Sequence, residues 1–131
     1  MTARRLLEFV KCRGGNRSVN GELKMPQSEC MRIRMKTGMT DRFLAWAKQI
    51  PTRMDEVKVC MEEQGILAEH IFLERSAAGD FIIFYAKVED MAKARAVLGS
   101  SQRELDREML KMIDETWDRS SVVRLEPVME L

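Results

Sequence analysis

The sequence predicts an α+β domain, a ferredoxin-like β-α-β-β-α-β sandwich with helices on one face of a four-stranded antiparallel sheet. Three observations carry this prediction. Residues 66–90, ILAEHIFLERSAAGDFIIFYAKVED, read as two strands joined by a short Gly-containing turn. Helical spacing of apolar residues flanks that hairpin on both sides. A strand-like segment precedes the first helical pattern, and another follows the last.

Taken in order, residues 1–29 form an N-terminal extension or linker. Within them, 11–29 are rich in Gly, Asn, Ser and charge. Leu6, Leu7, Phe9 and Val10 suit a short helix or an added strand. The domain occupies 30–131. Met31-Arg32-Ile33-Arg34-Met35-Lys36 alternates apolar and basic side chains, the signature of a half-buried strand. Thr37-Gly38 ends it, and Thr40 is the expected N-cap of a helix. Phe43, Ala47, Ile50, Met54, Val57 and Met61 lie along one face of that helix, and Gly65 caps it. Pro51 lacks an N–H, so a break or kink is expected between Ala47 and Arg53. The hairpin strands span about 66–75 and 80–88. Asp90 caps a short helix that Gly99 stops. Ser101-Gln102-Arg103-Glu104 matches a capping box opening a further helix, whose apolar side carries Leu105, Met109, Met112, Ile113 and Trp117. Residues 121–128 read as a final strand that Pro127 confines to a sheet edge.

One layer of helices leaves one sheet face open. Successive strand side chains alternate between faces. That parity puts Met31, Ile33, Met35, Ile71, Leu73, Ile82, Phe84 and Ala86 under the helices. The open face receives Arg32, Arg34, Lys36, His70, Phe72, Glu74, Phe81, Ile83 and Tyr85. In the last strand, Val123 and Leu125 are expected to point inward, with Val122, Arg124 and Glu126 outward. Large apolar groups among charges suit a subunit interface enclosing a polar cavity better than a solvated face.

Composition narrows the function. A chain of 131 residues fits one domain, and 45% apolar with 33% charged residues is that of an ordinary soluble globular protein. The net charge of +1 argues against phosphate-driven nucleic-acid binding. Residues 1–30 carry six basic and three acidic side chains, too small an excess for a nucleic-acid or membrane-binding arm. No apolar run approaches a membrane span or a secretory signal. Cys12, Cys30 and Cys60 lack CxxC spacing, which suits reduced thiols in a cytoplasmic protein.

Residues 31–131 resemble a family of small bacterial proteins defined only as a domain of unknown function. The resemblance rests on Lys36-Thr37-Gly38, Phe43-Leu44-Ala45-Trp46, Glu69-His70-Ile71-Phe72, Asp80-Phe81 through Tyr85, Leu105-Asp106-Arg107-Glu108 and Leu125-Glu126-Pro127-Val128-Met129. Family members often carry a His near Glu108-Met109, and this chain has none there. Residues 1–30 lie outside the resemblance, as an upstream start codon would explain. More broadly, the element order resembles the dimeric α+β barrel proteins, which include monooxygenases, isomerases and members without known activity. A homodimer is what that resemblance implies.

No cofactor fingerprint is present, neither a phosphate-binding loop nor a dinucleotide-binding Gly pattern. One His and unpaired thiols argue against a metal site. His70 reads first as a hydrogen-bonded structural residue and second as a proton carrier near Tyr85 or Glu74. An RNA-binding surface lacks the stacking aromatics it needs on the first strand. The expected function is the binding of a small polar or anionic molecule by a homodimer. Its pocket lies between helices and sheet or between two sheets. The candidate site residues are His70, Tyr85, Arg32, Arg34 and Glu74, with an Arg supplying positive charge. The alternative is a dimerisation or interaction module without a ligand.

Overall fold

The computed structural model describes residues 25–131, so the helix or strand expected at Leu6–Val10 lies outside the described residues. The elements are β1 (Gln27–Arg34), α1 (Thr40–Ala47), a 3-10 turn at Ile50–Arg53, α2 (Met54–Gln64), β2 (Ile66–Ser76), β3 (Gly79–Val88), α3 (Met91–Ser100), α4 (Glu104–Thr116), a second 3-10 turn at Arg119–Ser121, and β4 (Val123–Arg124). The strands form one antiparallel sheet in the order β2-β3-β1-β4. This is the expected α+β sandwich. No helix among the described residues is long and apolar enough to cross a membrane.

The helical layer breaks where Pro51 requires it. Helix α1 stops at Ala47, Pro51 sits in the first turn of the 3-10 segment, and α2 restarts at Met54. Gly65 ends α2 in the left-handed region at φ 70°, where a side chain would be strained. Asp90 caps α3 by accepting from the Lys93 N–H. Three local expectations differ. Thr40 lies inside α1, and its hydroxyl donates to Asp80 at 2.7 Å instead of capping. Gly99 does not stop α3, which runs on to Ser100. The Ser101–Glu104 capping box does not form, because Ser101 Oγ donates to Asp106 at 2.6 Å while accepting from Arg103 N. For Thr40 and Ser101 a tertiary or neighbouring acceptor outcompetes the local pattern.

Met31, Ile33 and Met35 point into the helix layer and are buried with Phe43, Ile82, Ile113 and Trp117. Trp117 anchors the end of this core, with the Phe43 ring 5.6 Å and the Phe84 ring 6.4 Å from it, centroid to centroid, both edge-on. The backbone after α4 is fixed to β1 by Asp118 N–H donating to Arg34 C=O and Arg34 N–H donating to Ser121 Oγ.

That fixation overturns the parity expected for the last strand. Instead of eight residues, β4 has two, registered as Met31 opposite Arg124 and Arg32 opposite Val123. Arg124 therefore shares a face with Met31 and pairs with Glu29, Val122 packs on the core, and Val123 is half exposed. The 3-10 turn at Arg119–Ser121 consumes residues that an extended chain would have used. A shift of one residue flips every side chain to the other face.

Candidate functional site

The two faces of the sheet hold two different sets of polar groups. On the open face, register places His70 opposite Tyr85, Phe72 opposite Ile83, and Glu74 opposite Phe81. Ile83 is in turn opposite Arg32, and Phe81 opposite Arg34. The Arg32 guanidinium lies 3.6 Å over the Phe81 ring and donates to Glu74 Oε1 at 2.8 Å. Arg34 approaches the same ring at 5.0 Å. Thus Phe81 is buried although it points away from the helices. His70 stacks along Phe72 and tilts against Tyr85, each about 6 Å between centroids. Parity correctly gathers Arg32, Arg34, His70, Glu74 and Tyr85 on one face. Tyr85 also lines a hollow of about 450 Å³ with Cys30, Lys87 and C-terminal residues including Leu125 and Leu131.

The helix face borders a different space, a partly open cavity of about 330 Å³ between the sheet and the helices α2, α3 and α4. None of the five residues singled out from the sequence lines it. Its floor is built from cross-strand rows. Met31, Phe84 and Ile71 form one, and Glu29, Ala86 and Glu69 form the next. Ala86 in the floor and Ala94 in the roof are small, so a void remains between sheet and helix. Most of the wall is apolar, with Leu98, Leu105, Met109 and Leu110 among its members.

Into this apolar wall project Glu29, Glu69, Arg95 and Asp106. Glu29 is held by Arg124. Asp106 accepts from Gln64 Nε2 at 3.0 Å and from Ser101 Oγ at 2.6 Å. Glu69 lies on β2 with the parity of Ile71. Burial, and then the Asp106 charge, push its carboxyl up to about 7, so it exchanges a proton near neutrality. Cys60 shares the wall, and burial followed by Asp106 pushes its thiol up to about 11, which leaves it protonated and unreactive. Trp117 Nε1, on the cavity wall, is buried without an acceptor. Among the described residues no three His, Cys, Asp or Glu side chains gather as metal ligands would.

Sequence reasoning missed this second set, although a signal existed. Glu69 has the same strand parity as Ile71 and Leu73, and Glu29 the same as Met31 and Ile33. Either carboxylate on a core-facing position marks a polar group inside an apolar layer. Arg95 follows Met91 at helical spacing and precedes Leu98, which puts it on the buried side of α3.

The fold is similar to the crystal structure of L-rhamnose mutarotase FA22100 from Formosa agariphila. The identity is 14% and the TM-score 0.50, over 80% of this chain and 98% of that one. That likeness is to a dimeric α+β barrel fold and shows the fold alone. No curated protein matches the sequence. The model of a Family of unknown function (DUF6176) matches residues 26–131, most of the chain and all of its described sheet and helices, and the protein belongs to that family.

Proposed function

We propose that this protein binds a small molecule in the cavity between its sheet and helices, and that it does so as a homodimer joined through the open sheet faces. One feature carries the ligand reading: Glu69, whose carboxyl burial pushes up to about 7, faces a partly open and otherwise largely apolar cavity. Such a group can give or take a proton at physiological pH, as acid–base chemistry on a bound molecule requires. A sugar is one candidate class, because the structurally similar protein is named a mutarotase. Interconversion of sugar anomers needs a proton donor and a proton acceptor. Differential scanning fluorimetry against sugars and small polar metabolites tests the reading. A ligand should raise the melting temperature, and Ala94→Phe, which fills the roof of the cavity, should abolish that rise. Persistence of the rise in Ala94→Phe would place the site elsewhere.

The dimer is supported by the exposed Phe72 and Val123 and by the partly exposed Ile83 on the open face. Ile83→Asp should weaken association without unfolding the protomer. A monomeric mass for the unaltered protein at micromolar concentration, by light scattering, would refute the dimer. A second reading places a ligand between the two sheets, using His70, Tyr85, Arg32, Arg34 and Glu74. The hollow beside Tyr85 favours it. In that case His70→Ala or Arg34→Ala should abolish ligand stabilisation and Ala94→Phe should not. The remaining alternative, a dimerisation module without a ligand, predicts no stabilisation by any compound.

A further inference from the structure

Arg95 lies on α3 and lines the cavity. Its Nε and Nη2 are buried and have no hydrogen-bond partner. A guanidinium offers five N–H donors and no acceptor, so its buried N–H groups call for acceptors. Other arginines of the domain are already engaged. Arg53 is held by Glu56 and Glu108, Arg103 by Glu63, and Arg124 by Glu29. Of the three acidic groups of the wall, two are engaged by other partners. Asp106 is occupied by Gln64 and Ser101, and Glu29 by Arg124. Arg95 is the one basic side chain on the cavity wall among the described residues.

We propose that Arg95 receives the carboxylate of a small organic acid whose apolar body fills the cavity. The planar fork of a guanidinium matches a carboxylate in two parallel N–H···O bonds, and for this the side chain must turn its buried edge toward the cavity when the acid binds. The apolar wall around it, with Met91, Leu98 and Phe84, suits a hydrocarbon or aryl body rather than a polyol. Charge selects the anion. Glu29, Glu69 and Asp106 share the wall with a single Arg, which disfavours a dianionic phosphate and tolerates a monoanion. Glu69 in its protonated form supplies an O–H donor and removes a repulsive charge.

This inference rests on the cavity being the ligand site and names the class of molecule it takes. The test is isothermal titration of the full chain with hexanoate and phenylacetate, beside the uncharged hexanamide and phenylacetamide and L-rhamnose. The acids should bind at least about tenfold more tightly than their amides, as one charge-assisted pair allows. Arg95→Met should erase that preference, and Arg95→Lys should keep part of it. Affinity for the acids should fall as pH rises through neutrality. The titrating or charged groups of the wall are Glu29 on β1, Glu69 on β2, Cys60 on α2, Arg95 on α3 and Asp106 on α4. Burial pushes Glu69 up to about 7, into that range, so Glu69→Gln should flatten the pH profile. Equal binding of acid and amide, retention of the preference in Arg95→Met, or no binding of either acid at millimolar concentration would each overturn the proposal. If L-rhamnose alone binds, and Ala94→Phe blocks it, the cavity reading stands while the assignment to Arg95 fails.

Discussion

The two faces of one sheet use the same side-chain types and treat them differently. On the open face, Arg32 meets Glu74, and both Arg32 and Arg34 lie over Phe81. Charge there is paired, stacked and partly in water. On the helix face, Glu69 and Arg95 stand in an apolar wall, the first perturbed by burial and the second without partners for two of its nitrogens. Arginines and glutamates on a strand or helix therefore say little by themselves. Whether a partner is within reach separates a structural pair from a site awaiting an occupant.

Breaking each face should give effects of different size. The largest is expected at the core beside the cavity. Trp117→Ala removes a side chain that is only 1% exposed and should cost about 3–5 kcal/mol in urea unfolding. Phe72→Ala, at a position 57% exposed, should cost no more than about 0.5 kcal/mol in a dilute, undimerised protomer. Similar losses at both sites would erase the contrast.

Glu69 comes next, through pH. Its carboxyl is raised from 4.5 in its ordinary state to about 7 in the folded protein, so the folded state binds the proton more tightly. Its contribution to stability is full below about pH 4.5 and is lost as pH rises through 7. The loss is on the order of 3 kcal/mol, at about 1.4 kcal/mol per pH unit. Glu69→Gln should flatten unfolding free energy between about pH 5 and 8, and an unchanged slope would assign the proton elsewhere. The smallest effect belongs to the open face. A double-mutant cycle on Arg32 and Glu74, which are 38% and 47% exposed, should give a coupling of about 0.2–1 kcal/mol. A coupling well above that range would mean that the pair is desolvated, as burial between two subunits would produce.

The fold was legible because its signals are periodic and local. Strict alternation in Met31–Lys36, the hairpin around Gly79, and Pro51 in a long helical pattern each leave few alternatives. Parity carried over to the open face, where His70, Phe72 and Glu74 line up with Tyr85, Ile83 and Phe81. It failed in the last strand, because the 3-10 turn before Val122 depends on contacts between Ser121, Asp118 and Arg34, far apart in sequence. The cavity was not legible for a related reason. A void forms from the coincidence of Ala86 and Ala94 across two layers, and from Gln64 and Ser101 occupying Asp106, none of which follows from spacing along one element. Glu69 was within reach of the parity argument, and Arg95 of the helical one.

The position of β2 gives Glu69 a second consequence, for aggregation. This strand is eleven residues long and, among the described residues, forms one edge of the sheet, with a row of backbone N–H and C=O groups facing outward. Such an edge is a template on which another copy can add a strand. Here the pairing shifts register between Ile66 and Ala68, Glu74 and Arg75 stand near the far end, and Glu69 turns a carboxylate toward the interior in between. A chain docking along this edge would have to follow the irregular start and cover an inward-pointing acid. These features make the edge unattractive to fibrillar stacking.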